Sequence, residues 1–487
     1  MLWQRFANWV KQAPHREAVV AASLRVTYGH LCAAAEALSA RLALHHVRPG
    51  DPVALFLPNG VGFVTGFLGI LRSGGVVAPL STHYQHEELV AYLLQTQPHI
   101  VLTDTERLPQ ITPVLEALKS LGESPPKLLL LDVEQDAKLA SPLPPDPGHP
   151  ALRQYSTGST GKPKPVIRTQ GQLIAEIEHF THAVSVMPRD RILAVLPLFH
   201  AHGIGNGLLA ALMNGATLVI LESFNPRSTL AALQNEQITI YPGVPFMFKL
   251  LIETQVRNAV DLSCLRLCFS AGAPLSAEIV QRFYAQFGIY VRQLYGSTET
   301  GSVTLNLDAD IETSCESVGR VMPPAEVAIF GELGMPLPVG QAGEVGIRSP
   351  AMTTGYPCLP DATAASFRNG FFFPGDVGHL DAQGRLYVTG RATFFINVAG
   401  QKVDPAEVER VIATHPKVRE VVVLGILDPS GQERVKAVIV PRESCEPSEI
   451  LDICQGKLAD YKLPRVITFR DEIPKSPLGK VLRKYLQ

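Results

Sequence analysis

The stretch Tyr155-Ser-Thr-Gly-Ser-Thr-Gly-Lys-Pro-Lys164 collects the residue types that hold a polyphosphate. Gly158 and Gly161 remove the Cβ atoms that would keep backbone N–H groups from turning toward an anion. Ser156, Thr157, Ser159 and Thr160 add hydroxyl donors, and Lys162 and Lys164 add charge. It is not a Walker loop, which has four residues between its glycines and a Ser or Thr after the lysine. Here two residues intervene and Pro163 follows Lys162. Clusters of Ser, Thr and Gly also make plain surface linkers, so the rest of the chain has to choose between the two readings.

Composition excludes several classes. The chain has 487 residues, 46% hydrophobic and 18% charged, enough for two or three domains with sizeable cores. A formal net charge of -2 provides no global field to gather nucleic acid or an anionic membrane, so anions must be bound locally. The 7 cysteines form no C-x-x-C pair and read as reduced, mostly buried thiols. Residues Met1 to Val10 read as an amphipathic helix with Leu2, Phe6, Trp9 and Val10 on one side. That stretch lacks the long apolar run of a signal peptide, and no segment has the length of a membrane span, so the expectation is a cytoplasmic protein.

The elements that position the loop alternate in kind. Apolar runs such as Pro52–Leu57, Gly74–Leu80, Ile100–Thr103 and Leu128–Leu131 read as buried strands with helices between them. The Pro-rich stretch Ser141–Pro150 leads into the cradle as an extended linker. Beyond it, strands Ile192–Leu196, Ile238–Ile240, Leu265–Phe269 and Tyr290–Leu294 each run into a polar or glycine-rich turn. These turns are Pro197–Gly203, Tyr241–Pro245, Ser270–Leu275 and Tyr295–Gly301. A helix is expected from about Leu208 to Met213. The rhythm is that of an α/β protein with doubly wound parallel sheets, whose ligands lie beyond the carboxyl ends of strands. From about Ser317 short alternating strands predict a small β-barrel-like subdomain, and from about Thr393 a small α+β domain follows.

Four segments then carry a resemblance. The cradle, Tyr295-Gly-Ser-Thr-Glu-Thr-Gly301, Phe373-Pro-Gly-Asp376 with Gly390-Arg391, and Pro474-Lys-Ser-Pro-Leu-Gly-Lys480 stand in the order and approximate spacing of the adenylate-forming superfamily. That family includes acyl- and aryl-CoA synthetases, adenylation domains of nonribosomal peptide synthetases and firefly luciferase. The resemblance covers essentially the whole chain. It implies a large domain over 1–390, a hinge at 391–393 and a small mobile lid over 394–487. It also implies that a carboxylate attacks the α-phosphorus of ATP, and that a thiol then takes the acyl group from the adenylate. By this resemblance Ser156 to Lys162 wrap the phosphates, and Thr298 contacts the α-phosphate. Glu299 holds Mg²⁺, and Tyr295 with Gly296 and the Gly272-Ala273-Pro274 turn flanks adenine. Asp376 accepts the ribose hydroxyls, Arg391 reaches ribose or phosphate, and Lys480 stabilises the adenylation transition state. Gly400 lets a pantetheine arm pass close to the backbone. Thr393 stands where the hinge usually carries Asp or Lys, and Pro165 where many relatives have Gly. Lys475 and Lys484 read as surface charges.

The acid is the open part. Amino-acid-activating relatives place an Asp where this chain has His200, which points to a neutral or aromatic acid rather than an α-amino acid. His200, Gly203, Tyr241, Gly243, Val244 and Ala271 are the expected acyl-pocket residues, with His202 a satisfied polar residue behind them. The thiol partner is CoA, for which Lys402 is a candidate phosphate contact, or the phosphopantetheine of an acyl carrier protein. A protein of this scaffold diverted from ligase chemistry is the third reading; Thr298, Glu299, Asp376, Arg391 and Lys480 together argue against it.

Overall fold

The computed structural model of the chain describes residues 1–131, 146–157, 163–255, 259–391, 396–398, 401–428, 433–455, 457–458, 460–475 and 481–486. Two large sheets organise the body. The first has six strands in the order Lys127–Leu130, Ile100–Thr103, Pro52–Leu55, Val76–Pro79, Pro150–Thr157, Pro163–Thr169. Neighbours among the first five are parallel. Such strands are covered on both faces, which is why Val53, Ala54, Leu55, Val101 and Leu102 are wholly buried and read as unbroken apolar runs. The last pair is an antiparallel hairpin. Its outer strand carries Pro163 and Pro165, tolerated because a sheet edge demands no donor on its open side.

The second sheet has fifteen strands. Glu17–Ala21, Thr217–Ile220, Arg191–Ala194, Ile240–Gly243, Leu267–Ser270 and Val291–Ser297 lie side by side in parallel. At Val291–Ser297 the sheet turns antiparallel through Gly301–Leu305 and continues through Gly319–Val321, Arg385–Arg391, Asp376–Leu380 and Gly343–Arg348. The antiparallel unit thus begins at Gly301 rather than near Ser317, as a continuation of the parallel sheet.

Two strand ends differ from the sequence reading. Tyr241-Pro242-Gly243 lies inside a strand rather than in a turn. Pro242 is accommodated because pairing with Arg191–Ala194 stops at Ile240. Tyr295, Gly296 and Ser297 likewise extend their strand, leaving 298–300 as the turn. A third difference is a helix that starts at Ala201, not Leu208, and passes through a π-helical stretch, Ile204–Leu209. Gly203, Gly205 and Gly207 lower its propensity and hid its start.

The first helix, Leu2–Gln12, is core material: Leu2, Trp3 and Phe6 are buried, and Trp9 donates to the Met213 carbonyl. Past residue 395, strands Val418–Leu427, Glu433–Pro441 and Val466–Phe469 form a sheet. Helices Pro405–Ala413 and Pro447–Cys454 share with it a core including Val408, Ile412, Val423, Ile439 and Ile450. All seven cysteines are free thiols, of which only Cys264 and Cys358 are exposed. Among the described residues no helix is long and apolar enough to cross a membrane.

Candidate active site

The four strands expected to carry functional turns are immediate neighbours, so their carboxyl ends open on one edge. Register aligns those ends: Gly243 pairs with Ser270, and Ser270 with Gln293. The turn at Gly272-Ala273-Pro274 is exposed, and just beyond it the Leu275 N–H donates to Gln293 Oε1 at 3.3 Å.

In the cradle hairpin Ser156 faces Lys164 and Thr157 faces Pro163, which makes 158–162 the connection. Gly158, Ser159, Thr160, Gly161 and Lys162 lie outside the described residues. Tyr155 anchors the hairpin: its hydroxyl bonds the Thr96 hydroxyl, and its ring meets Tyr92 edge-on at 4.8 Å. Lys164 leaves the hairpin with its Nζ 4.8 Å from the ring centroid of Tyr356.

The turn of Thr298, Glu299 and Thr300 is shaped from several sides. Ser297 Oγ accepts from the Thr300 N–H at 3.2 Å. The Glu299 carbonyl accepts from Thr353 N at 2.8 Å, and its buried carboxylate accepts from the Tyr356 hydroxyl at 2.9 Å. Burial first, and the Glu299 charge second, raise the Tyr356 phenol, so it stays a donor. Gly301 closes the turn at φ +66°, a region a side chain resists, and there a Cβ would stand 2.4 Å from the Glu176 carboxyl carbon. Glu176, on the helix Gln170–Val184, accepts from Ser302 N at 3.2 Å and from Arg168 Nη2 at 3.0 Å. This ion pair is buried on both sides.

Behind the turn a polar chain runs across the sheet edge. Ser302 Oγ meets the Asn206 amide, which lies 2.8 Å from His202 Nδ1, and His202 Nε2 lies 3.2 Å from the Gly243 carbonyl. Burial lowers the His202 pKa, which favours a neutral ring. His202 is thus a satisfied polar residue, as expected.

Tyr295 donates its hydroxyl to Asp376 Oδ2 at 2.6 Å, and Arg391 Nε reaches Asp376 Oδ1 at 2.8 Å. These three residues come from adjoining parts of one sheet and share one buried carboxylate. His200 is half-buried, its ring 4.2 Å from that of Phe199. Gly203, Tyr241, Gly243, Val244 and Ala271 are all buried. Tyr241 packs on Phe248 with its hydroxyl toward Met247 Sδ, inside the core rather than on a rim. Thr393, Gly400 and Lys480 and the side chains of Lys402 and Lys484 lie outside the described residues. Lys475 is a surface charge paired with Glu420 at 2.7 Å.

Among the described residues no group of three or more His, Cys, Asp or Glu could hold a metal. A lone buried carboxylate suits Mg²⁺ nonetheless, because that ion usually takes one or two carboxylates and completes its shell with phosphate oxygens and water. The sequence reading missed Tyr356, Thr353, Glu176 and Asn206. Of these only Glu176 gave a signal, as a charge inside the otherwise apolar segment Leu173–Ile177.

Turns of this kind at the carboxyl ends of parallel strands, beside a glycine-rich hairpin, define an α/β nucleotide-binding enzyme. The chain belongs to the AMP-binding enzymes, the adenylate-forming family: the AMP-binding enzyme profile matches residues 6–357, and that of the AMP-binding enzyme C-terminal domain matches 407–480. Oxalate–CoA ligase of Arabidopsis thaliana is 32% identical, over 98% of this chain and 96% of its own. Feruloyl-CoA synthase of an Amycolatopsis species is 31% identical, over 99% and 98%. ATP-bound MatB from Rhodopseudomonas palustris superimposes with a TM-score of 0.90 at 26% identity, over 100% of this chain and 98% of its own. O-succinylbenzoate CoA synthetase from Bacillus subtilis, in complex with ATP and magnesium ion, gives 0.87 at 26%, over 99% and 98%. The chain is an AMP-forming acid–thiol ligase that uses ATP, Mg²⁺ and CoA.

Proposed function

We propose that this ligase activates a neutral or aromatic carboxylic acid at the strand-end edge, and that its residues divide the work as follows. The hairpin residues Ser156 to Lys162 wrap the β and γ phosphates with backbone N–H groups, hydroxyls and one ammonium. Thr298 meets the α-phosphate, Tyr295 and the Gly272-Ala273-Pro274 turn flank the adenine, and Asp376 with Arg391 takes the ribose. The observation that carries this reading is the shared carboxylate of Asp376, bonded by both Tyr295 and Arg391, on the sheet that also presents Glu299. Glu299 would hold Mg²⁺, which when bound neutralises phosphate oxygens. The acyl group lies against His200, Gly203, Gly243, Val244 and Ala271.

Lys480 reaches the oxygens that gain charge as the acid attacks the α-phosphorus; a compact ammonium on a flexible stem suits that task. The chain divides into a domain over 1–390, a hinge at 391–393 and a lid over 394–487 that alternates between the two half-reactions. Feruloyl-CoA synthase and indoleacetate–CoA ligase among the relatives support an aromatic acid.

The test is pyrophosphate release across aryl, fatty, dicarboxylic and amino acids, with and without CoA. Acid-dependent release with CoA-thioester formation, strongest for aryl acids, is the expected result. Preference for a dicarboxylic or α-amino acid overturns the substrate class. A single burst of adenylate that CoA cannot discharge points to a carrier protein.

A further inference from the structure

Tyr356 is buried, 6% exposed, with Val166 and Phe372 in its cluster and Phe367 edge-on at 5.5 Å. Its backbone is pinned as well, the N–H donating to Thr363 Oγ1 at 2.9 Å. From this socket its side chain reaches Glu299, Ser366 and Lys164. The hydroxyl donates to Glu299 Oε1 at 2.9 Å, and the ring face receives Lys164 Nζ at 4.8 Å. Three residues earlier, Thr353 donates its N–H to the Glu299 carbonyl and its hydroxyl to the Ile167 carbonyl, each at 2.8 Å. Ile167 lies on the strand that leaves the cradle hairpin. One short segment therefore grips Glu299 at both ends and is itself bonded to the cradle.

We propose that Tyr356 is the positioning residue that fixes the Glu299 carboxylate for Mg²⁺ and keeps it in register with Lys164 of the cradle. The proposal rests on the reading of Glu299 as the metal ligand. A carboxylate has about four acceptor positions and a freely rotating end. A charge-assisted bond from a phenol held by packing stops that rotation and leaves the remaining lone pairs for a cation. Partners of this kind orient metal ligands, and their loss costs about 10–100-fold in metal affinity. The same ring offers its negative face to the Lys164 ammonium, so the strand leaving the cradle and the anion that meets metal are referenced to one rigid group.

The experiment measures binding of α,β-methylene-ATP to the full chain by calorimetry over a series of Mg²⁺ concentrations. The proteins compared are the wild type, Tyr356→Phe, Glu299→Gln and the double variant. Tyr356→Phe keeps the ring in its socket and removes the hydroxyl; the Mg²⁺ midpoint should rise about tenfold. Glu299→Gln should raise it at least as far, and the double variant no further than Glu299→Gln alone, since the phenol acts only through that carboxylate. A general loosening of the fold would add to the Glu299→Gln effect instead. If Glu299→Gln leaves the midpoint unchanged, the metal reading itself fails. If Glu299→Gln raises it while Tyr356→Phe does not, or if the two effects multiply, the positioning role is overturned and the metal reading stands. Should Tyr356→Phe fail to fold, Thr353→Val cuts the bond to Ile167 and spares the phenol. A rise in its midpoint supports the register, and no change overturns it.

Discussion

Gly301 sits at φ +66° where a methyl group would come 2.4 Å from the Glu176 carboxyl carbon, whereas Gly334 has a similar φ of +70° and nothing within 4 Å. Gly334→Ala should therefore cost about 1 kcal/mol for the left-handed backbone alone. Gly301→Ala should cost about 3 kcal/mol or more, because the overpacked carboxylate must also move. Denaturant midpoints of the two variants separate strain from collision. Two imidazoles set a pH response. Burial lowers the pKa of His179 and of His202; the Glu176 charge pulls both back up, and Arg168 opposes that at His179. Since the folded values lie below the ordinary one, the unfolded chain takes up protons first as pH falls. Stability is complete above pH ~6.5 and is lost below it, by at most about 1.4 kcal/mol per pH unit for each ring. Urea titrations between about pH 7.5 and 5.5 should show the decline, and His179→Leu should flatten it. At this scale residue type and order singled out Tyr295, Asp376 and Arg391, which the structure joins at one carboxylate. Tyr356 was not legible, because its partner Glu299 is 57 residues away and nothing local marks the pairing.

Arg168 and Glu176 tie three elements together: the strand leaving the cradle, the helix Gln170–Val184, and the strand that begins at Gly301. Removing one partner strands a buried charge, so Arg168→Met should destabilise by about 3–5 kcal/mol. Adding Glu176→Leu should cost less than the sum of the single changes, with Ser302 N left as the residual penalty. Denaturant midpoints of the four proteins close the cycle. Parallel strands were easy to read because burial on both faces makes them unbroken apolar runs. The helix from Ala201 and the strand through Pro242 were harder, since Gly and Pro carry loop signals that tertiary packing overrode. The extent of the second sheet could not be read at all, because strand order across a crossover leaves no trace in local periodicity.

Across the whole chain, the reading of two bodies that alternate makes the two half-reactions separable. Lys480→Ala should abolish adenylate formation from acid and ATP yet leave thioester formation from supplied acyl-adenylate near the wild-type rate. Pyrophosphate release and CoA-thioester assays measured side by side decide it, and equal loss of both would remove alternation from the account. The glycine-lined edge has a consequence for how such an enzyme acquires new substrates. A Cβ at Gly203 would meet the Pro197 carbonyl oxygen at 2.4 Å, and one at Gly243 would meet Phe248 at 2.8 Å. Those walls have no side chain to trim and no room to grow one, so they are closed to adaptation in either direction. On the proposed seat of the acyl group, retooling the enzyme for another acid must proceed through Val244, Ala271 and His200, a narrow set of adjustable stops on an otherwise fixed gauge.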